Sequence, residues 1–226
     1  LRVTVEASGG ALLYAKSYQG YENLMKLASA EAISSVSFDS LRKHSHDLIC
    51  VLASDENEVV SLLLENNLEA AKQRLQTYLD IFPDLYMGID IQTQKTQQML
   101  IYLIEFGQDN FVKMVLINKT NFIDKADFDV YSTLRCIALG ANHYLGTEKE
   151  FNCHLLSSEE VKNLNSRISS LINNTVEISH KCNVEIPFGV YRLPKYPHAN
   201  SKDYLTELCK VGLNKRLYKL NVDQEK

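Results

Sequence analysis

The chain has 226 residues, 45% hydrophobic and 23% charged, which suits one globular domain with a full core and leaves room for a smaller second unit. Its formal net charge of −4 supplies no overall basic field, so any contact with nucleic acid has to come from a local patch. Five widely spaced cysteines (Cys50, Cys136, Cys153, Cys182, Cys209) form no CxxC pair and read as reduced thiols of a cytoplasmic protein, and the apolar stretches are too short and interrupted to cross a membrane.

The N-terminus, Leu1-Arg-Val-Thr-Val5, has no charged n-region or apolar h-region and opens inside an apparent strand, so we expect a fragment of a longer protein. Arg2–Glu6 alternates like a strand edge, and Ser8-Gly-Gly10 turns the chain into a second run, Ala11–Ala15. Tyr21–Ala32 has a helical stripe of Leu24, Leu27, Ala28 and Ala32. The continuous apolar run Asp47–Ala53 predicts a strand buried on both faces. Glu56–Phe82 predicts two helices broken at Asn66-Asn67, followed by a strand at Leu85–Ile91. Lys95–Phe106 predicts a helix ending at Gly107 as its C′ residue, Val112–Ile117 a strand, and Asp127–Leu139 a helix ending at Gly140. Ser157 and Glu160 match a capping box, ahead of a helix over Asn165–Lys181. After Ile186, Pro187, Pro194 and Pro197 mark a connector into a last helix, Ser201–Leu217. Strands separated by helices predict parallel βαβ units, in an open sheet or a barrel.

Motifs of known chemistry are sparse. The nine glycines form neither a dinucleotide fingerprint nor a phosphate loop, and no GxSxG elbow occurs. His44-Ser-His46 has the spacing of two ligands on one strand face, but it precedes the strand Asp47–Ala53, whereas ligands of β/α barrels gather at strand C-terminal ends. Two solvated loop histidines is the better reading. Asp124, Asp127 and Asp129 suit a helix N-terminus rather than a Ca²⁺ loop, which would need a central glycine and a bidentate glutamate. His143, His154, His180 and His198 stand singly. Lys210, Lys215, Arg216 and Lys219 give the last helix a basic end that reads as a solvated face.

Taken in order, several segments resemble one family. Gly20-Tyr-Glu-Asn-Leu-Met-Lys-Leu-Ala28, the strand Asp47–Ala53, Leu79–Tyr86, Asn174–Ile186 and Tyr204–Leu213 closely resemble the PHP domain and its junction to the palm in replicative DNA polymerase III α subunits of the DnaE type. The resemblance implies an α/β fold, a distorted β/α barrel of seven strands in the family, here with its first strands missing. It implies a partial PHP domain over 1–186 and a proline-containing connector with the first palm helix over 187–226. A PHP domain normally carries a metal site. The resemblance places its ligand positions at Arg2, Gln92, Lys119 and Asn121, where cations and amides replace carboxylates and imidazoles. We therefore expect no catalytic, cofactor-binding or metal-binding residue in this chain.

The expected function is a catalytically silent domain that supports the palm of a DNA-directed DNA polymerase and offers a docking surface to a partner. Mg²⁺ would belong to the longer protein's palm. DNA and other replisome subunits would be met through that longer protein, with weak or no DNA binding by this chain itself. Two rivals are an active metal-dependent PHP phosphoesterase or 3′–5′ exonuclease, and an unrelated cytosolic α/β protein with a small-molecule pocket.

Overall fold

The structure is a computed structural model that describes residues 1–6, 9–31, 35–90, 98–142, 153–164, 169–189 and 196–216. Five strands form one sheet in the order β1 (Arg2–Val5), β2 (Gly9–Ala15), β3 (Leu48–Asn57), β4 (Leu85–Asp90), β5 (Lys113–Ile117). All six residues of β4 are buried, which is why its segment does not alternate between apolar and polar residues and is apolar up to Ile89. The α/β class expected from the sequence holds, and the strands are in the expected places. The parallel expectation holds only from β3 to β5: β2 runs antiparallel to both β1 and β3. The cause is local. Helices α1 (Tyr18–Glu31) and α2 (Phe38–His44) return the chain to Asp47, whose carbonyl accepts the Lys16 N–H at 2.9 Å, so β3 starts beside the end of β2.

The described strands do not close into a barrel. The outer edge of β1 meets Val36 through a parallel bridge, and the Thr4 N–H donates to Glu31 Oε1 at 2.6 Å, so that edge is met by loop and helix rather than by β5. One sheet face, with Leu13, Cys50, Leu52, Met87 and Met114, packs under α1, α2, α3 (Glu58–Leu64), α4 (Leu68–Leu79) and α5 (Leu100–Asp109). The other face, with Ile49, Val51, Tyr86 and Val115, lies under Ile178 of α8 (Ser169–Lys181). Helices α6 (Phe128–Leu139) and α7 (Ser158–Leu164) precede α8.

Helix ends follow local chemistry. Asn66 takes φ 62° at the break between α3 and α4, and Gly140 takes φ 62° to stop α6. Asn57 caps α3 through the Val59 N–H at 2.9 Å while its Nδ2 donates to the Gly10 carbonyl at 3.2 Å, joining the start of β2 to the end of β3. Gly107 does not act as a C′ residue: α5 runs on to Asp109, and a Cβ at 107 would lie 2.4 Å from Met114 Sδ, so this glycine serves close helix–strand packing. The chain divides into two compact units, Leu1–Ile186 and Pro187–Lys226. In the second, α9 (Ser201–Arg216) is capped by Asn200, whose Oδ1 accepts the Asp203 N–H at 3.3 Å.

Buried strand residues set the stability of the first unit. Leu52 is fully buried, whereas Leu116 is half-buried against the core edge. Leu52→Ala is expected to cost about 2–5 kcal/mol, and Leu116→Ala clearly less, by urea titration of each variant. Equal costs would show that the core does not lie where the strand register puts it.

Candidate functional site

The two ends of the parallel strands β3 to β5 differ in chemistry. At their N-terminal end, Gly20 and Asn23 of α1 dock on the turn that leads into β3. A Cβ at Gly20 would sit 2.3 Å from the Asp47 carbonyl oxygen, and Asn23 Nδ2 donates to the His46 carbonyl at 3.0 Å. Ser17 Oγ donates to Asp47 Oδ2 at 2.6 Å, and Asp47 itself takes φ 57°. His44 therefore ends α2 and His46 lies in a packed turn with its side chain 79% exposed; neither stands on a strand.

Beside that turn lies a network of ion pairs. Asp84, just ahead of β4, accepts from Lys16 Nζ at 2.8 Å and from Lys181 Nζ at 2.7 Å. Glu177, one turn before Lys181 on α8, accepts from Lys113 Nζ at 2.7 and 2.8 Å and from the Tyr86 hydroxyl at 3.1 Å, and sits 3.0 Å from Lys181 Nζ. Asn174 Nδ2 adds a bond to the Met114 carbonyl at 2.8 Å, and the Asn183 N–H donates to the Lys16 carbonyl at 3.0 Å. Burial opposes ionisation of Asp84, but the bonds from Lys16 and Lys181 outweigh it and hold the carboxyl below its ordinary range. Lys113 and then Lys181 pull Glu177 down to about 2, and Asp84 chiefly raises Lys181. Each of the three lysines reaches one of the two carboxylates, an arrangement that suits a clasp.

At the C-terminal end, Asp90 is 3% exposed in register with Ile117, and the chain beyond β5 turns through Asn118 to Phe122. There the Asn121 and Phe122 N–H groups donate to the Cys153 carbonyl, and Asn118 Nδ2 donates to the His154 carbonyl at 3.3 Å. His154 is buried. Its Nε2 lies 3.4 Å from Glu160 Oε1, and its Nδ1 has no hydrogen-bond partner among the described residues. Glu160 closes the capping box of α7, accepting the Ser157 N–H and hydroxyl, each at 2.8 Å. Those two bonds, and then His154, bring its carboxyl down to about 2. Asp124 and Asp127 form a second capping box ahead of α6, with Asp129 in its first turn.

Of the expected ligand positions, the described ones do not all come together. Arg2 shares a row with Leu12, Val51, Tyr86 and Lys113, at the opposite end of the sheet from Asp90. Lys119 and Asn121 are exposed on the loop after β5, with Asn121 Nδ2 3.3 Å from the Tyr131 hydroxyl. Gln92 lies outside the described residues. Among the described residues, no three His, Cys, Asp or Glu side chains are grouped to hold a metal ion. An ammonium repels a divalent cation, and a neutral amide binds Mg²⁺, Mn²⁺ or Zn²⁺ weakly compared with carboxylate or imidazole. Sequence reasoning missed the clasp and the burial of His154. The i, i+4 spacing of Glu177 and Lys181 was a legible hint of the first, whereas nothing near His154 marked it as buried.

Residues 3–94 match the PHP domain family. The chain is similar to DNA polymerase III subunit alpha of Thermus aquaticus (28% identity over 90% of this chain and 18% of that protein). It is also similar to the same subunit of Escherichia coli (29% over 91%, and 19% of that protein) and of Bacillus subtilis (28% over 92%, and 19%). The resemblance read from the residues is therefore borne out, and the chain spans about a fifth of the length of these relatives. No helix among the described residues is long and apolar enough to cross a membrane.

The clasp predicts a pH dependence. Glu177 and Asp84 have folded pKa values below their unfolded ones, so their contribution is complete above the unfolded carboxylate range near ~4 and is lost as pH falls toward about 2. At neutral pH Glu177→Gln should cost about 1 kcal/mol, in keeping with a partly exposed network screened by solvent. The gap between wild type and variant should narrow in urea titrations between pH 5 and 2. A gap that stays constant with pH would show that the Glu177 carboxylate is not the group responsible.

Proposed function

We propose that this chain, a PHP-domain relative of the DNA polymerase III α subunits, is a silent structural domain of a replicative polymerase. It would support the polymerase palm and present a surface to a partner, and it would perform no metal-dependent hydrolysis of its own. The observation that carries this reading is what the family-like residues do. Gly20 and Asn23 dock α1, Asp84 receives two lysines, and Asn174, Glu177 and Lys181 fasten α8 to β4 and β5. All of these are packing roles. The aligned ligand positions support the same reading, since Lys119 brings a cation and Asn121 an amide already engaged by Tyr131.

In the longer protein, nucleotide addition would rest on Mg²⁺ held by palm carboxylates, none of which we assign to this chain. DNA and other replisome subunits would be the partners of that longer protein. Similarity to DNA polymerase III α subunits over some 90% of this chain weighs against an unrelated small-molecule protein. The metal-dependent phosphoesterase remains the reading to beat, because Asp90 and His154 are buried near strand C-terminal ends, where barrel enzymes place their ligands.

Metal analysis and a nuclease assay on the same preparation decide between them. We expect no stoichiometric Mn²⁺, Zn²⁺ or Fe after purification from metal-supplemented medium, and no shortening of a 3′-labelled primer with Mn²⁺ present. Bound metal together with 3′ degradation that Asp90→Asn or His154→Ala abolishes would establish the phosphoesterase instead. In the full-length polymerase, Lys181→Met should lower soluble yield and primer extension in proportion, leaving the specific activity of the folded fraction unchanged.

A further inference from the structure

Helix α5 ends against the preferences of its own local chemistry. It closes as a Schellman motif: the Val112 N–H donates to the Gly107 carbonyl at 2.8 Å, and the Phe111 N–H to the Gln108 carbonyl at 3.1 Å. That motif puts Phe111 at C′, the position that glycine ordinarily fills, and Phe111 takes φ 57° there. A left-handed backbone under a bulky side chain is strained. The ring gains no packing in return, since Phe111 is 96% exposed. The helix end is also acidic. Glu105 and Asp109, both exposed, stand four residues apart on one face, where like charges repel. The last turn holds no basic residue to answer the negative end of the helix dipole. Ile101, 45% exposed, lies one turn before Glu105 on the same face, and the Cα atoms of Asp109 and Phe111 are within about 7 Å, the reach of two residues.

We propose that the end of α5 is a docking surface for a partner protein, on which a basic amphipathic helix lays its apolar side against Phe111 and Ile101 and its lysines or arginines against Glu105 and Asp109. Such a partner answers both exposed features at once. The ring leaves water, and the carboxylates gain the cations that the helix end lacks. The strain marks a position where the fold alone is better served by glycine, which closes the same motif without cost. An indifferent loop tip would account for the exposure, but not for three unfavourable local choices within residues 105–111. The same carboxylates repel phosphate groups, so neither a nucleic acid nor an anionic bilayer suits this surface. The inference deepens the docking half of the proposed function and rests on it. Its test reads this corner alone, so its failure leaves palm support and the metal and nuclease outcomes where they stand.

The probe is a Leu/Lys peptide of ~14 residues with helical spacing, titrated into the intact isotope-labelled chain and followed by amide NMR shifts, with a Leu/Glu peptide of the same pattern as control. Shifts should centre on residues 101–113 and shrink between ~50 and ~200 mM salt. Phe111→Gly should weaken the Leu/Lys peptide at least about fivefold, as loss of an aromatic anchor does. The same variant should raise the folding equilibrium constant about two- to fivefold in urea titrations, the relief of a left-handed backbone less the added freedom of glycine in the unfolded chain. Asp109→Lys should also weaken that peptide while stabilising the chain. A residue with a purely structural role would not show this opposition of binding and stability, and a variant that folds better cannot have lost binding by unfolding. The proposal is overturned by shifts that centre elsewhere, by no binding up to ~1 mM peptide, or by equal binding of the Leu/Glu peptide. It is overturned equally by a Phe111→Gly chain that binds like wild type or folds less stably.

Discussion

The ion-pair clasp between α8 and the strand starts is the contact on which the rest of the architecture depends. An open sheet has two apolar faces, and the helices that follow β2, β3 and β4 cover only one of them. Ile49, Val51, Tyr86 and Val115 on the other face need a cover, and α8 supplies it chiefly through Ile178. Ile178 here and Leu171, buried in the larger cluster, hold α8 by contacts that are favourable but non-directional. Lys181 on Asp84, Glu177 on Lys113 and Tyr86, and Asn174 on the Met114 carbonyl remove that freedom, because each demands one position of α8 along β4 and β5. Partly exposed ion pairs add little net energy. Their role here is to select one packing among several of similar hydrophobic energy.

The same contacts manage the sheet edges. Among the described residues β5 is an edge strand, and an unpaired edge invites pairing with another chain. The Asn174 amide meets the Met114 carbonyl of that strand, while on β1 the Val36 bridge and the Glu31 carboxylate do corresponding work. Among the described residues these bonds engage one carbonyl of the β5 edge and part of the β1 edge.

Much of the fold was legible in the sequence because strand and helix periodicities are local. The buried run before Ala53, the Asn66 break, the Gly140 stop and the Ser157–Glu160 box all depend on residues within a few positions of each other, and all stand in the structure. Direction of pairing was not legible. Whether β2 meets β3 parallel or antiparallel depends on where α1 and α2 return the chain, and that rests on Gly20 against Asp47, a contact across 27 positions. Gly107 misled for the same reason: a glycine near a helix end matches a C′ pattern, but its partner is Met114 on the next strand. At the candidate site, residue types were legible and convergence was not. Arg2 was aligned with a ligand position, yet strand register puts it at the wrong end of the sheet for any site near Asp90.

This difference bears on how a resemblance should be converted into chemistry. A motif is preserved in sequence whether its residues bind substrate or bind each other, and composition cannot separate the two. Geometry does so here. The most specific segment, Asn174 to Ile186, sends Asn174, Glu177 and Lys181 to the fold's own strands, so these three side chains are engaged internally. His154 is the counter-case, a buried imidazole with one nitrogen paired and the other unsatisfied among the described residues, in a segment the resemblance did not single out. A buried unsatisfied atom costs stability that nothing local returns. Of all the groups at the C-terminal end of the strands, it is therefore the one whose chemistry the scaffold reading leaves unexplained, and the sharpest place at which that reading is open to contradiction.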